Sequence, residues 1–290
     1  MRITDVFEER MSFSFEVFPP KAEQPIEPLL NTLDELYKFK PDFISCTYGA
    51  GGSNAGRNVE ICKSIQDSGK SLAVTHFTCI GHTRETIKEQ LDHYLSIGVN
   101  HILALRGDLP AGWEGTRGDF AHANELVAFI RETYGDKFTI AVSGAPEKHI
   151  QANSFEEDIA HLRVKQDCGA DFIMTQLCFD DDQFERWLEQ IRYAGITLPV
   201  DVGIMPVLNK DACIRMALSM NGCAIPRELA EIISRYYNDP DGFRKAGMEF
   251  TVKQINRGLC MGIDGLHIYA LNKHEAIAEL MNASGIRTII

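Results

Sequence analysis

The chain has 290 residues, a hydrophobic fraction of 44% and a formal net charge of −12, and its composition is that of an ordinary soluble globular protein. The acidic surplus argues against nucleic-acid and membrane-surface binding, because phosphate backbones and anionic headgroups repel such a surface. No stretch reaches the ~18 apolar residues that a membrane span requires. Acidic residues occupy the N-terminus in place of an apolar signal region, so we expect a cytoplasmic protein.

The cysteines and histidines do not form a metal-binding pattern. None of the eight cysteines makes a C-x-x-C pair, and their density is far below that of a disulfide scaffold, so we expect reduced thiols. Cys79 and His82 form a C-x-x-H, but no second pair follows at ligand spacing. We therefore predict no metal site.

Short apolar runs, rich in β-branched and aromatic residues, recur along the chain. Several lack polar alternation, which is typical of parallel strands buried on both faces. The eight predicted strands are 13–18, 43–47, 71–77, 101–105, 138–142, 172–177, 200–205 and 266–269.

Helical periodicity fills the intervals between these runs. The clearest apolar stripe, at spacing i, i+3, i+4 and i+7, consists of Phe184, Trp187, Leu188 and Ile191. Thr83 and Asn153 are predicted to begin helices, because each is a capping residue type followed by a suitable partner. The stretch 209–264 is long enough for more than one helix.

Eight successive strand–helix units predict one domain over 1–290 with a closed (β/α)8 barrel, the TIM-barrel fold. The alternative is an open doubly wound sheet, which binds dinucleotides through a Gly-rich first turn. The glycine-rich segment 49–56 follows a strand but fails G-x-G-x-x-G at Asn54. It also fails the P-loop pattern, because Arg57 and Asn58 stand where Lys and Ser or Thr are required.

Chemistry in such a barrel is located where the strands end at the carboxyl face. The polar residues at those ends are Glu16, Thr47, His76, Asp108, Glu147, Gln176 and Asn272. Glu16 lies between Phe15 and Val17, where burial should raise its pKa and suit it to general acid catalysis. The alternative is a Glu paired with a neighbouring Lys or Arg. His76 is equally consistent with a hydrogen-bonded core histidine.

Several motifs occur in the order and spacing of one known family. They are SFEVFPPK at 14–21, TYGAGG at 47–52, HFTC at 76–79, ALRGDLP at 104–110, TQ at 175–176, GIMPV at 203–207 and YALN at 269–272. On these motifs the chain resembles the methylenetetrahydrofolate reductase family from about residue 12 to 275. No sequence follows residue 290 for the regulatory domain of the eukaryotic members, so the chain resembles the short bacterial type.

The resemblance implies a flavoprotein with FAD in the barrel. A reduced nicotinamide, NADH or NADPH, would pass hydride to the flavin, which would then reduce 5,10-methylenetetrahydrofolate to 5-methyltetrahydrofolate in a ping-pong scheme. It also implies that Glu16 protonates the departing nitrogen when the five-membered ring of the folate opens, and that Asp108 lies beside the flavin and the pterin. The implied substrate-binding positions are Gln176, Tyr269, Leu271 and Lys273.

The resemblance also implies a flavin-binding set. Its positions are Thr47, Tyr48, Ala50, His76, Arg106, Gly107, Asp108, Ala123, His149, Ala152, Asp158, His161 and Lys165. Asp158, His161 and Lys165 follow i, i+3 and i+7, so they share one helix face. Without the resemblance, an ordinary solvated charged surface is the preferred interpretation of that face.

Three positions depart from the family pattern. Ala145 and Lys210 replace aromatic residues, and Val164 replaces a basic residue near the diphosphate. FMN in place of FAD, and electrons delivered by a partner subunit, therefore remain open, as does a homo-oligomer. Two other functions also remain open: a flavoenzyme of the proline dehydrogenase type and a non-catalytic pterin-binding subunit.

Overall fold

The structure is a computed structural model that describes residues 2–48, 55–109, 112–219 and 223–286. Parallel strands close into a barrel in which each strand pairs with its neighbours in chain order and β8 pairs with β1. The strands are β1 (Ser12–Val17), β2 (Phe43–Cys46), β3 (Leu72–Thr78), β4 (His101–Leu105), β5 (Thr139–Gly144), β6 (Phe172–Thr175), β7 (Val200–Ile204) and β8 (Gly265–Tyr269). The predicted (β/α)8 barrel is confirmed.

Helices connect the strands and cover the outside of the barrel. They are α1 (Ile3–Glu9), α2 (Glu27–Leu36), α3 (Ala55–Ser68), α4 (Arg84–Ser96), α5 (Ala123–Tyr134), α6 (Phe155–Asp167), α7 (Asp181–Tyr193), α8 (Lys210–Ser219), α9 (Arg227–Arg235), α10 (Pro240–Cys260) and α11 (His274–Ser284). The stretch 209–264 holds three of them, as its length predicted. No helix in the part of the chain that the structure describes is long and apolar enough to cross a membrane.

The helix starts follow from side-chain caps. Thr83 caps α4 as predicted, because its hydroxyl accepts a hydrogen bond from the backbone N–H of Thr86. The start predicted at Asn153 is wrong by one residue. Ser154 caps α6 by accepting from the N–H of Glu157, whose carboxylate in turn accepts from the backbone N–H of Asn153.

The apolar core lies on both sides of the strands. On the outside, α7 packs its predicted stripe against the barrel, with Phe184, Trp187 and Ile191 buried. Inside, α1 covers the amino-terminal opening, where Ile3 is fully buried and the rings of Phe7 and Phe172 lie 5.2 Å apart. This end is closed by apolar side chains, so the polar residues at the carboxyl ends of the strands lie at the opposite face.

His101 begins β4 near the opening that α1 covers. It is buried, and neither ring nitrogen has a hydrogen-bond partner among the described residues. Burial, together with the nearby charge of Arg2, lowers its pKa to about 4. The folded state therefore favours the neutral ring, and the stability that this contributes above pH ~6.5 is lost as the pH falls toward 4.

We predict that His101→Leu removes this pH dependence. Between pH 7.5 and 5 the free energy of unfolding of the wild type should fall by about 2 kcal/mol more than that of the variant. Denaturant titrations at both pH values measure the difference. His93→Leu, at an exposed histidine of α4, is the control and should behave like the wild type. Equal pH dependence in all three proteins would contradict the prediction.

Candidate active site

Glu16 lies near the carboxyl end of β1, where the barrel interior turns polar. Two histidines from other strands meet its carboxylate. The Nε2 atom of His76, on β3, lies 3.3 Å from Glu16 Oε2, and the Nε2 atom of His267, on β8, lies 3.6 Å from the same oxygen. The Glu16 side chain is 21% exposed and that of His267 only 1%. A single carboxylate oxygen therefore faces two imidazoles at the edge of a closed barrel.

The surroundings of Glu16 correct the expected direction of its pKa. Burial raises the pKa of this carboxyl, as expected. The charge of His76 and the close contacts of both imidazoles outweigh burial, and the pKa falls to about 2. The predicted increase is therefore wrong, and so is the alternative of a Lys or Arg partner. His76 contacts both Glu16 and the Ser45 hydroxyl, at 3.3 and 3.4 Å.

A column of polar side chains continues below His267 into the barrel. The Nδ1 atom of His267 lies 2.7 Å from Ser14 Oγ, and the Ser14 hydroxyl donates to Asp201 Oδ2 at 3.1 Å. Ser12 donates to the other oxygen, Oδ1, at 3.2 Å. Asp201 is fully buried on β7, and burial raises its pKa to about 6.

The sequence reasoning missed His267 and Asp201. Both interrupt apolar strands, His267 between Leu266 and Ile268, and Asp201 between Val200 and Val202. Glu16 was identified by the same feature, an ionisable residue within an apolar run. The prediction considered only the carboxyl ends of strands, and these two residues lie before those ends.

The ends of β6, β7 and β8 meet beside this group. The Tyr269 hydroxyl donates to the backbone carbonyl of Thr175 at 2.8 Å. Gly203 stands next to it because a Cβ there would lie 2.3 Å from the tyrosine oxygen. Gln176 follows Thr175 and is half-buried. Tyr269 and Gln176, two predicted substrate-binding residues, therefore lie on strands that converge.

A second group surrounds His149, after β5. Burial lowers the pKa of His149. The negative charges of Asp158 and Asp108 raise this pKa, whereas the positive charges of Lys165 and Arg106 lower it further. These four charges therefore lie within electrostatic range of one imidazole. Arg106 donates through Nη1 to Gln151 at 2.6 Å. The half-buried Lys165 donates through Nζ to the Ser143 carbonyl at 2.9 Å.

The donor set of this second group suits a flavin with phosphate. Arg106 and Lys165 offer cationic donors for a phosphate, and the neutral ring of His149 offers one N–H. Asp158 offers an acceptor for sugar hydroxyls. Burial lowers the pKa of Lys165, although the charge of Asp158 counteracts part of this effect, and an added anion would stabilise the ammonium further. The chemistry of the predicted residues therefore fits the predicted cofactor.

The other predicted residues have varied surroundings. Thr47 and the buried Tyr48 directly follow β2, and Ala123 begins α5 half-buried. Ala152 is buried, and His161, Asp108 and Lys273 are exposed. Ala50 lies outside the described residues. Gly107 has φ +93°, and a Cβ there would lie 2.7 Å from Ile80 Cγ2. The chain's own packing therefore requires this glycine, whether or not a ligand binds beside it.

Lys210, which replaces an aromatic residue of the family pattern, begins α8. Its ammonium lies 3.5 Å from the centroid of the Tyr237 ring, and it donates to the Tyr237 carbonyl at 2.9 Å. The Lys210 side chain is 18% exposed, whereas Tyr237 is 62% exposed. An exposed aromatic ring therefore remains next to this position, with a cation over it.

Asn272 holds the loop that follows β1 to the loop that follows β8. Its side chain accepts from the Phe18 N–H at 3.2 Å and donates to the Phe18 carbonyl at 2.8 Å. Its backbone is left-handed, with φ +52°, and so is that of Leu271, at +51°. Asn tolerates this conformation better than most residues. Asn272 therefore fixes the chain two residues beyond Glu16.

We predict that Asn272→Ala lowers the free energy of unfolding by about 1–3 kcal/mol and speeds hydrogen exchange at the Phe18 amide. Asn272→Gly keeps the left-handed backbone accessible but loses the same two hydrogen bonds. It should therefore speed that exchange equally while destabilising the protein less than Asn272→Ala does. Unchanged Phe18 exchange in both variants would show that these hydrogen bonds do not hold the loop.

Comparison with known proteins places the chain among folate enzymes. The family model described as methylenetetrahydrofolate reductase matches residues 2–285. The chain is 34% identical over 283 residues to methylenetetrahydrofolate reductase 1 of Schizosaccharomyces pombe, covering 97% of this chain and 47% of that protein. It is 38% identical over 295 residues to methylenetetrahydrofolate reductase (NADH) 1 of Arabidopsis thaliana, covering 97% of this chain and 50% of that protein.

A bacterial relative matches over most of its own length. The 5,10-methylenetetrahydrofolate reductase of Pectobacterium carotovorum is 33% identical over 278 residues, covering 96% of this chain and 91% of that protein. The chain thus spans about half the length of the eukaryotic relatives. A Clostridium thermocellum protein described as binding two copies of 5-methyl-5,6,7,8-tetrahydrofolic acid shares the fold, with a TM-score of 0.69, 13% identity and 99% coverage of both chains.

Proposed function

The chain belongs to the methylenetetrahydrofolate reductase family, and we propose that it reduces 5,10-methylenetetrahydrofolate to 5-methyltetrahydrofolate with electrons from NADH or NADPH. The observation that carries the proposal is the Glu16 carboxylate held between two imidazoles at the carboxyl face of the barrel. The reaction needs a proton donor at that face, because the folate ring opens only when its departing nitrogen is protonated. A carboxyl group with histidines in contact provides a donor and a source of protons.

Substrate binding would make Glu16 a better acid. In the open site the two imidazoles hold its pKa at about 2, and one side of the carboxyl remains exposed. A bound pterin would cover that side and exclude water. Burial disfavours the charged form, so covering the carboxyl raises its pKa and favours transfer of a proton from an imidazole to the carboxylate. Glu16 would then donate that proton to the substrate nitrogen.

Asp108 and Gln176 would orient and stabilise the substrate. Asp108 is an exposed carboxylate within electrostatic range of His149. Its charge would favour the cationic iminium that forms on ring opening and would accept from the amine groups of the pterin. Gln176, half-buried at the end of β6, would offer an amide for hydrogen bonding. Exposed Lys273 would attract the carboxylates of the glutamate tail.

A flavin would be held by the group around His149. We assign FAD to this site, with FMN as the alternative. Arg106, His149 and Lys165 would bind phosphate, and Asp158 would bind sugar hydroxyls. The flavin, when bound, supplies the hydride carrier that lets the nicotinamide and the folate react in turn.

The decisive experiment separates the two half-reactions in Glu16→Gln. Gln keeps the size and much of the hydrogen bonding of Glu but cannot donate a carboxyl proton. Reduction of the flavin by NADH, which needs no proton from Glu16, should stay within a few-fold of wild type. Reoxidation by methylenetetrahydrofolate should fall by about two orders of magnitude or more. Anaerobic stopped-flow absorbance of the flavin measures both.

Glu279→Gln is the matched control, because Glu279 lies on α11 in an exposed ion pair with Arg244. It should leave both half-reactions unchanged. Equal slowing of the two half-reactions in Glu16→Gln would defeat the assignment of Glu16 as the acid. A wild-type protein whose reduced flavin is not reoxidised by the folate would defeat the proposed reaction itself.

Lys210 provides a test of the electron donor. A stacked aromatic ring contributes on the order of 0.5–1.5 kcal/mol beyond area burial, so Lys210→Phe should tighten NADH binding by roughly two- to tenfold. Lys210→Leu removes the same cation without adding a ring and should not tighten it. The NADH concentration dependence of flavin reduction measures the effect. An unchanged dependence in Lys210→Phe would contradict the idea that Lys210 weakens nicotinamide binding.

A further inference from the structure

The polar column below Glu16 has no role in the reaction as proposed so far. It contains a fully buried carboxylate, Asp201, a serine hydroxyl, Ser14, and a buried imidazole, His267. An ionised carboxylate is costly to bury, and a brace between strands does not require one. The column leads from Asp201 to Glu16, the predicted acid.

The hydrogen bonds determine which nitrogen of His267 carries a fixed proton. An ionised carboxylate can only accept, so the hydroxyl proton of Ser14 points at Asp201 Oδ2. With its single proton committed, Ser14 Oγ must accept from His267, and the 2.7 Å contact with Nδ1 places the fixed proton there. Nε2 is then the nitrogen that gains and loses a proton, and it faces Glu16 Oε2 at 3.6 Å.

Ser45 connects the buried imidazole with the one at the mouth of the site. Its hydroxyl lies 3.3 Å from Nε2 of His267 and 3.4 Å from Nε2 of His76. One hydroxyl can accept from a protonated ring and donate to a neutral one, so this arrangement favours one proton shared between the two imidazoles. The His76 side chain is 12% exposed and that of His267 only 1%. His76 therefore offers the route by which a proton from solvent reaches the column.

We propose that His267, held by Ser14 and charged by Asp201, is a positioning residue that stores the proton which Glu16 delivers. In each turnover the Nε2–H bond of His267 breaks as a Glu16 O–H bond forms. That O–H bond then breaks as the proton passes to the departing nitrogen of the folate. A solvent proton entering through His76 and Ser45, or through Glu16 after product release, restores the imidazolium. The transfer requires no co-reactant beyond a proton from water, and its use in catalysis rests on the proposed function.

The titratable groups around His267 are few and come from separate strands. Glu16 faces it from β1, Asp201 from β7 at 3.9 Å, and His76 from β3 through Ser45. The Tyr269 ring lies edge-on at 5.6 Å. Asp42, paired with Arg10, acts on Asp201 from the start of β2. Two carboxylates close to one imidazole stabilise the charge of its protonated form, so Asp201→Asn should weaken that stabilisation.

The test measures the protonation of His267 directly. In protein labelled with ¹⁵N-histidine, two-bond ¹H–¹⁵N spectra report which ring nitrogen carries a proton, and His267→Gln identifies the His267 signals. In the wild type we expect Nδ1 to stay protonated while Nε2 titrates. In Asp201→Asn the Nε2 titration should move to lower pH by one to three units, because an opposite charge at this distance has been removed.

The same variants are then compared in the two half-reactions. In Asp201→Asn the fall in folate-dependent reoxidation with rising pH should begin at least one pH unit lower than in the wild type, while reduction by NADH keeps its pH profile. Asp264→Asn is the matched control, because Asp264 lies beside the same strand pair but its 40% exposed carboxylate accepts from the Val200 N–H and pairs with Arg192. It should move neither profile. Ser14→Ala removes the acceptor of the Nδ1 proton but leaves the Asp201 charge in place, so it should move both profiles in the same direction by a smaller amount, and it substitutes for Asp201→Asn if that variant does not fold.

A wild-type His267 without a proton on Nδ1 would contradict the proposal that this residue stores the proton. An Nε2 titration that does not move in folded Asp201→Asn or Ser14→Ala would also contradict it. Loss of reoxidation at every pH together with an unmoved titration would also overturn it, since that pattern marks a merely structural brace. A wild type that fails to reduce the folate while His267 titrates as expected would defeat only the proposed reaction. The two failures are therefore distinguishable.

Discussion

The candidate site depends on one interaction, the contact of the Glu16 carboxylate with two imidazoles that belong to other strands. A carboxylate flanked by buried phenylalanine and valine would be costly without partners. The closed barrel supplies them: β1 is hydrogen-bonded to both β2 and β8, with Glu16 opposite Ser45 and Tyr269. In an open sheet β1 and β8 would not be joined, and His267 would not reach Glu16. Ring closure is therefore a condition for the chemistry as well as for the fold.

The interior of the barrel separates stability from chemistry along its axis. At the amino end, α1 and aromatic side chains close the opening, and His101 is buried there with no hydrogen-bond partner among the residues that the structure describes. Toward the carboxyl end, hydroxyl, imidazole and carboxylate groups satisfy one another. A polar layer in a barrel interior is stable only when its members are paired. The polar layer therefore restricts which residue types fit around Glu16. This restriction is consistent with a site for proton transfer.

The two groups of charged residues suggest a division of labour on the carboxyl face. The group around Glu16 comes from β1, β2, β3 and β8 and is suited to proton transfer. The group around His149 comes from the segments after β4 and β5 and from α6, and it is suited to an anionic cofactor. Both groups lie on the same face because all the strands run parallel. The proposed cofactor and the proposed substrate would therefore bind at the same face of the barrel.

Much of the fold follows from local patterns in the sequence. All eight strands were predicted from apolar runs, because burial of both faces leaves few polar residues in them. Their ends differ by one or two residues: β5 extends to Gly144 and β6 stops at Thr175. The cap of α6 is Ser154 instead of Asn153. Such ends depend on individual hydrogen bonds, which propensity does not resolve.

The barrel, the strand ends that carry polar residues and the choice of Glu16 as the key carboxyl follow from local sequence, because each depends on neighbouring residues and on spacing. The contacts of Glu16 follow only from the folded barrel. The direction of its pKa, the bond from Ser14 to His267 and the burial of Asp201 depend on residues far apart in the chain that meet when the barrel closes. The effect of one charge on the pKa of another group decreases with the distance between them in space, and that distance cannot be read from their separation in the sequence.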